Sequence, residues 1–375
     1  MYHSWRCLAI VWKSLSLAAP VESKFPLNQP QPQPPKPKKP NIRQVAEASG
    51  VSLMTASRAL SGRGGVAEET KQRVLAAAKQ LQYRPNRLVR AVMGGRSGTI
   101  GVMVPLGSWF LAQVVRGIHD VLAEHRYLPV VHFHGDGPGA NRDDAELDYL
   151  HRLIEQRVDG IIFVPSDESV SRMYLREVWE RGLPLVSVDR RLPRTNADFS
   201  GTDDEAGGRV VAEYLLSLGH RRIAHISGEP WVSTYAERRR GFEEVVHGRD
   251  GVEYQFADCE RGDCRDAVRV ILASKDRPTA IFTASDRMAA HVYAVAEELG
   301  LQVSRDVSVV GFGDQTDLYW LRPKLTTVNQ DPVSIGAEAA RLVLDRLEGR
   351  CPSAKPRESR VMPQLCIRES AAPVA

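Results

Sequence analysis

Short apolar segments alternate with longer amphipathic segments from residue 98 to residue 350, and this alternation restricts the fold more than any other feature of the sequence. The apolar segments have the length of strands, and the segments between them repeat apolar residues at helical spacing. Strands are predicted at residues 100–104, 129–133, 160–164, 184–188, 223–226, 280–283 and 307–311. Helices are predicted near residues 110–125, 142–157, 169–181, 204–219, 235–248, 265–274, 286–299 and 333–349.

Strands that alternate with helices predict parallel sheets that are covered by helices on both faces. Residues 98–375 hold more than one such sheet, so we expect an α/β body of two lobes. Ligands bind open parallel sheets at the carboxyl ends of the strands. The expected ligand site is therefore a crevice between the lobes.

The segment before this body has a different pattern, that of a small all-α head. Asn41 and Gln44 have the spacing of a capping box, Gly50 ends the first helix, and Ser52 is placed to cap the second. Three short helices with a glycine-containing turn between the first two are typical of a helix-turn-helix fold. The helices are predicted at residues 42–49, 53–60 and 68–81, with inward positions Val45, Ala46, Val74, Leu75, Ala78 and Leu81.

The second helix is the candidate recognition helix, because its first turns reach base edges in helix-turn-helix proteins. An arginine suits guanine or a phosphate, hydroxyl groups suit several bases, and apolar side chains suit the thymine methyl group. The DNA-binding candidates here are Leu53, Met54, Thr55, Ser57 and Arg58. The alternative for the pattern alone is a helical bundle that binds no nucleic acid.

Charge is divided unevenly along the chain. Of the formal net charge of +4, residues 1–40 carry +5 and residues 41–96 carry +7, which leaves −8 on residues 97–375. Positive charge confined to one small domain indicates a polyanionic partner, although a solvated basic surface is the alternative.

Residues 1–40 are expected to form a disordered extension rich in Pro and Lys, or to result from a start codon placed too far upstream. The apolar run at residues 7–12 is too short for a secretory signal or a membrane span. The five cysteines lack zinc-binding spacing and are interpreted as reduced thiols, so we expect a cytoplasmic protein without cofactor or metal.

Several motifs resemble the LacI/GalR family, in the order that the family has them. In the head they are NIRQVAEASGVSLMTASRALSG at residues 41–62 and VAEETKQRVLAAAKQLQYRPNRLVRAVMGG at residues 66–95. In the body they are IGVMVP at 100–105, TDDEAGGRVVAEYLLSLGHRRIAHISG at 202–228, TASDRMA at 283–289, DVSVVGFGD at 306–314 and LTTVNQD at 325–331. The resemblance covers residues 41–370.

The resemblance implies a transcriptional repressor that binds a pseudo-palindromic double-stranded DNA operator as a homodimer or a tetramer. It implies a helix-turn-helix domain over residues 41–85, a hinge helix and linker over 86–97, and an effector-binding and dimerisation domain over 98–375. Asn86 and Arg87 would lie in the hinge. Val92 would insert into the minor groove and kink the DNA, although the family usually has Leu there.

The same resemblance implies that the body is built like a periplasmic sugar-binding protein and binds a carbohydrate or a related metabolite. The first lobe would comprise residues 98–200 and 332–356, and the second lobe residues 201–331 and 357–370. The aromatic candidates suit stacking on a ring, or alternatively fill the core, and the carboxylates suit hydroxyl groups or an amine. The effector-binding candidates by position are Ser108, Trp109, Phe110, Leu111, Asp189, Ser285, Asp286 and Gln330.

Departures from the family pattern affect the expected effector site. Ala236 and Gly313 stand where the family commonly has Arg and Asp, and Ser285 where it has Asn. The loss of both charges predicts either a less polar, non-standard sugar or weak effector control. In the head, Ala67 replaces the usual serine cap of the third helix, which typically costs about 1 kcal/mol.

The sequence carries no enzyme signature that we could identify. Residues 311–316 lack the third glycine of a dinucleotide-binding loop, and nucleophile-elbow and Walker motifs are absent. Two alternatives to the repressor are a solute-binding or sugar-processing protein with an incidental helical head, and a regulator that senses a protein partner. The first predicts no salt-dependent duplex binding that depends on residues 41–96.

Overall fold

A computed structural model describes residues 40–61, 65–83, 96–134, 142–165, 172–192, 195–259, 263–351 and 355–374. The chain divides into two compact units, Met1–Pro85 and Asn86–Ala375. In the described part of the chain, every helix is too short or too polar to cross a membrane.

In its described residues, 40–61 and 65–83, the first unit is a bundle of three helices. They are α1 (Ile42–Ser49), α2 (Leu53–Ser61) and α3 (Glu68–Gln80). The predicted capping box is confirmed, since the Gln44 N–H donates to Asn41 Oδ1 at 3.0 Å and the Asn41 N–H donates to Gln44 Oε1 at 2.9 Å. The second cap is confirmed as well, since Ser52 Oγ accepts the Thr55 N–H at 3.1 Å. Ala67 makes no side-chain cap, as expected.

The core of this bundle differs from the prediction at one position. Leu75 was expected inward, but it is 40% exposed, and Ala77 is buried. At 100° per residue, Val74, Ala77 and Ala78 share one face of α3, whereas Leu75 lies 100° away from Val74. The buried apolar residues are Val45, Ala46, Ala56, Ala59, Val74, Ala77 and Ala78.

The second unit contains two six-stranded sheets, each covered by helices. In chain order its elements as far as β5 are β1 (Thr99–Pro105), α4 (Trp109–Glu124), β2 (Leu128–His134), α5 (Arg142–Glu155), β3 (Gly160–Phe163), α6 (Arg172–Glu180), β4 (Leu185–Val188) and β5 (Asp198–Thr202). Next come α7 (Asp204–Ser217), β6 (Arg222–Ser227), α8 (Ser233–Val246), β7 (Glu253–Asp258), α9 (Arg265–Ala273), β8 (Ala280–Thr283), α10 (Asp286–Glu298), β9 (Ser308–Phe312) and β10 (Thr326–Asn329). The last are α11 (Pro332–Leu347), β11 (Glu358–Val361) and β12 (Gln364–Cys366).

The strand order is β11-β5-β4-β3-β1-β2 in the first sheet and β12-β10-β9-β8-β6-β7 in the second. All neighbouring strands are parallel except β10 and β12. Each sheet has apolar core on both faces. The predicted two-lobed parallel architecture is therefore confirmed, and all predicted strands and helices have a counterpart.

The chain passes between the lobes at three crossovers. They lie between β5 and α7, between β10 and α11, and between β11 and β12. The expected lobe boundary at residue 357 is wrong, because β11 pairs with β5 in the first sheet. The Arg357 side chain holds this strand there by donating to the buried carboxylate of Asp198 at 3.0 Å.

Each lobe contains one close helix crossing at a pair of glycines. A Cβ on Gly336 of α11 would lie 2.0 Å from the Val114 carbonyl oxygen of α4, and one on Gly117 would lie 2.0 Å from that of Val333. In the second lobe, a Cβ on Gly241 of α8 would lie 2.0 Å from the Glu205 carbonyl oxygen of α7. Only glycine allows these helix backbones to approach so closely.

We expect Gly336→Ala to lower the free energy of unfolding of the second unit by about 1–3 kcal/mol, because α11 must move away from α4. Urea denaturation followed by circular dichroism measures this loss. Arg341→Ala on the exposed face of α11 is the control and should cost under about 1 kcal/mol. An equal loss in both variants would show that the close crossing makes no particular contribution to the free energy of unfolding.

Candidate functional site

The first part of α2 exposes two large apolar side chains that the core does not use. Leu53 is 48% and Met54 59% exposed, while Ala56 and Ala59 fix the helix by packing inward. Exposed apolar side chains side by side at the start of a recognition helix form a contact surface for base edges. This part of α2 is therefore the candidate nucleic-acid interface.

The polar candidates on α2 have different surroundings. Arg58 is exposed, whereas Ser57 and Thr55 are half-buried. Thr55 Oγ1 is also hydrogen-bonded to Ser52 Oγ at 2.9 Å, so this hydroxyl helps to start the helix. The hinge candidates Asn86, Arg87 and Val92 lie outside the described residues.

In the second unit, two predicted effector residues are helix caps. Ser108 Oγ accepts the Leu111 N–H at 3.5 Å after β1, and Ser285 Oγ accepts the Met288 N–H at 3.4 Å after β8. Both serines thus lie at carboxyl ends of strands, where the crevice was predicted.

The other predicted residues after β1 point in different directions. Phe110 and Leu111, in the first turn of α4, are buried in the core of the first lobe. Trp109 is only half-buried, so its indole is an aromatic group available at this edge of the first sheet.

Asp189 follows β4 and has left-handed backbone geometry, with a φ of 64°. Such geometry is uncommon outside glycine and often marks a functional position. Burial raises the pKa of Asp204, which begins α7 in the second lobe, and the negative charge of Asp189 adds to that rise. The charges of the two carboxylates are therefore close enough to influence each other.

Asp286 is buried at the start of α10, where it connects three segments of the second lobe. Its carboxylate accepts the Thr327 hydroxyl at 2.5 Å and the Gln315 N–H at 2.8 Å. Burial raises the pKa of Asp286 to about 6, although both hydrogen bonds oppose that rise. Asp286 also lines a cavity of about 180 Å³ together with Asp314 and Arg368.

Sequence reasoning missed Arg238, the buried cation at the carboxyl edge of the second sheet. Its Nε donates to Asp204 Oδ1 at 2.7 Å, its Nη1 to the Ala284 carbonyl at 2.6 Å, and its Nη2 to Gln330 Oε1 at 2.9 Å. Its guanidinium carbon lies 3.9 Å from the centroid of the Phe312 ring. Gln330, a predicted site residue, also accepts the Thr202 hydroxyl at 3.0 Å, so it connects Arg238 to a crossover.

The missing arginine at position 236 is therefore only part of the charge pattern at the start of α8. Ala236 is uncharged, but Arg238 two residues later supplies a guanidinium. The available signal was helical phase, because Thr234, Arg238 and Phe242 follow one another at four-residue spacing and are all buried.

The pKa of Asp204 is unusually high for an aspartate. Burial raises the pKa of Asp204 to about 7, and the Arg238 guanidinium opposes that rise. The Asp204 carboxylate and the Arg238 guanidinium are both buried. Each charge is therefore compensated by the other and not by water.

A two-lobed parallel α/β body with polar side chains at its crevice, in one chain with a separate helix-turn-helix unit, defines a ligand-responsive DNA-binding transcription regulator. Comparison with protein families supports this class for both parts. The model of the bacterial regulatory proteins of the lacI family matches residues 41–86, and that of the periplasmic-binding-protein-like domain matches residues 212–371.

Relatives match along most of their length. The chain is 31% identical to the ribose operon repressor of Halalkalibacterium halodurans over 312 residues, which are 82% of this chain and 90% of that protein. It is 32% identical to the HTH-type transcriptional repressor PurR of Serratia proteamaculans over 342 residues, which are 88% of this chain and 96% of that protein. The chain therefore belongs to the lacI family, as the sequence motifs predicted.

Solved structures agree. A lac repressor dimer bound to operator and the anti-inducer ONPF matches with a TM-score of 0.72 at 26% identity, over 89% of this chain and 100% of that chain. The transcriptional regulator CelR in complex with cellobiose matches with a TM-score of 0.64 at 29% identity, over 88% of this chain and 99% of that chain. The protein is a sequence-specific DNA-binding transcription regulator.

Proposed function

We propose that this protein represses transcription in the cytoplasm as a homodimer whose two α2 helices bind the half-sites of a pseudo-palindromic operator. The observation that carries this role is the exposure of Leu53 and Met54 at the start of α2. Asn86 and Arg87 are proposed to contact the DNA backbone from the hinge, and Val92 to insert into the minor groove.

We further propose that the effector is a hydroxyl-rich small molecule bound in the crevice. Asp189 from the first lobe offers a carboxylate and Trp109 offers a ring for stacking, whereas the Asp204–Arg238 pair lies buried behind the second wall. Polar side chains at the carboxyl ends of the strands suit a carbohydrate better than a less polar ligand. The relatives named for ribose operon control and for cellobiose binding are consistent with this class.

An effector can control DNA binding only if it binds the two states of the lobes with unequal affinity. A thermal-shift screen of mono- and disaccharides tests the ligand class. Stabilisation of the wild-type protein by one sugar, lost in Asp189→Asn, is the expected result. Stabilisation that Asp189→Asn leaves unchanged would contradict the site, and a response to non-hydroxylated metabolites alone would contradict the ligand class.

We expect Arg58→Ala to weaken binding to a preferred duplex by about 1–3 kcal/mol and to change the preferred sequence, because a base contact is lost. Duplexes chosen by in-vitro selection, with a random duplex beside them, provide the measurement by fluorescence anisotropy. Arg73→Ala on α3 removes the same charge outside α2 and is the matched control. It should weaken both duplexes alike or not at all.

Thr55→Ala is expected to act like Arg58→Ala, whereas Arg87→Ala should weaken all sequences similarly. Because Thr55 also bonds Ser52, helix content is checked by circular dichroism in that variant. Equal losses on preferred and random duplexes for Arg58, Thr55 and Arg87 variants would contradict this division of roles.

A further inference from the structure

Five charged side chains connect the two lobes next to the crossovers, and we call them the interlobe cluster. Arg191 follows β4, and Glu358 and Arg360 lie on β11, so these three belong to the first lobe. Asp203 lies at the crossover from β5 to α7. Glu237 lies on α8 and is the member that belongs to the second lobe.

Arg191 contacts residues of both lobes. Its Nη1 and Nη2 donate to the two carboxylate oxygens of Glu358 at 2.5 and 3.1 Å, within the first lobe. Its Nε donates to Glu237 Oε1 at 3.1 Å, across the lobes. The guanidinium also lies 4.4 Å from the centroid of the Phe199 ring, which holds it in place.

Glu237 uses both of its oxygens on the first lobe. Oε1 accepts from Arg191, and Oε2 accepts from Arg360 Nη1 at 3.3 Å. The Glu237 side chain is only 13% exposed and that of Arg191 24%, so solvent screens this contact less than a surface pair. Asp203 lies 4.0 Å from Arg360, and the Glu358 carboxylate lies 3.6 Å from it.

Opening of the lobes would affect the members of the interlobe cluster unequally. If the lobes separate, Arg191 and Arg360 keep Glu358, but Glu237 leaves both of its guanidinium partners. The arginines are thus already held by the first lobe when Glu237 arrives. Opening therefore loses charge-assisted hydrogen bonds that only the closed arrangement provides.

We propose that Glu237 is an electrostatic latch that favours closure of the two lobes before any effector binds. It is a positioning residue for the crevice, because Arg238 is the next residue on α8 and Asp189 precedes Arg191 by two residues. Engagement of the latch therefore sets both walls of the crevice. The inference concerns lobe closure alone and does not rest on the identity of the operator or the effector.

The test uses Glu237→Gln in the full-length chain, with genetically encoded spin labels at Leu106 and Trp231. These exposed residues follow β1 and β6, one on each lobe. Labelled chain is exchanged into excess unlabelled chain, so that one protomer of a dimer carries both labels. Pulsed electron paramagnetic resonance then measures the label-to-label distances without DNA or effector.

The expected result is an increase of about tenfold in the ratio of long to short distances in Glu237→Gln. High salt should shift the wild-type ratio in the same direction and leave the variant nearly unchanged. Glu243→Gln is the matched control, because that residue also lies on α8 but pairs with Arg239 and Tyr254 inside the second lobe. Circular dichroism establishes that both variants are folded.

An unchanged distance distribution in Glu237→Gln would overturn the latch, and so would an equal shift in Glu243→Gln. Neither result bears on operator or sugar binding, so a failure of the latch is distinguishable from a failure of the proposed function.

Discussion

Arg238→Met is expected to lower the free energy of unfolding of the second unit by about 3–5 kcal/mol at about pH 8, because it leaves the buried Asp204 carboxylate without its cation. Met fills a similar volume, so loss of charge dominates over loss of packing. Urea denaturation followed by circular dichroism measures the difference. Asp204→Asn in the Arg238→Met background should recover much of the loss, because the unpaired charge is then gone.

The loss should depend on pH in a defined direction. Burial raises the pKa of Asp204 from 3.8 to about 7, so the folded state binds this proton more tightly than the unfolded state. Stability from the neutral carboxyl is fully present below the unfolded pKa and decreases as pH rises towards the folded pKa. Without Arg238 the folded pKa rises further, so the variant loses more at about pH 8 than at about pH 5.5.

Arg239→Met is the control for this experiment. Arg239 is the next residue on α8, its side chain is partly exposed, and it pairs with Glu243 at 2.7 Å. A surface pair of this kind contributes under about 1 kcal/mol. A loss in Arg238→Met that is no larger, or that does not change with pH, would contradict the account of the Asp204–Arg238 pair.

Asp198→Asn is expected to cost the second unit about 3 kcal/mol at neutral pH. The buried Asp198 carboxylate accepts from Arg346 Nη2 at 2.7 Å, from Arg357 Nη2 at 3.0 Å and from the Arg357 N–H at 2.8 Å. It therefore joins α11 and the start of β11 to β5. Asn offers no negative charge to the two guanidinium groups, which are only partly exposed.

Acid should remove the difference between this variant and the wild-type protein. Although burial opposes the effect, hydrogen bonds from Arg346 and Arg357 hold the pKa of Asp198 below its ordinary value of 3.8. The stability it contributes is present above that value and is lost as pH falls through the lower folded pKa. Asp345→Asn, which removes a more exposed carboxylate from Arg357, should cost less. A loss in Asp198→Asn that does not become smaller as pH falls below 3.8 would contradict this account.

The sequence predicted the regular elements well wherever apolar side chains made the pattern. The strands it missed, β5, β7, β10, β11 and β12, carry polar residues or lie at sheet edges. In β5, Asp198 is buried only because Arg346 and Arg357 come to it from far along the chain. Contacts of that range leave no local periodicity, so the polar strands could not be found from their own residues.

The candidate sites show the same division. The helix caps and the exposed start of α2 follow from local spacing, and the structure has them where they were predicted. Matching positions to a family pattern gave the effector residues, which stay predictions. It drew attention to the missing charge at Ala236 and overlooked Arg238, whose burial depends on how α8 packs on α7 through Gly241.

The three crossovers have a mechanical consequence for signalling. Sliding or separating the lobes would have to stretch three covalent connections at once, whereas a rotation about a line near them bends each connection only slightly. The angle between the lobes is therefore the coordinate that changes easily. Sliding and separation of the lobes are resisted. Any ligand that binds in the crevice acts on that angle, so the strength of a signal from this body is set by how unequally the ligand binds its open and closed arrangements.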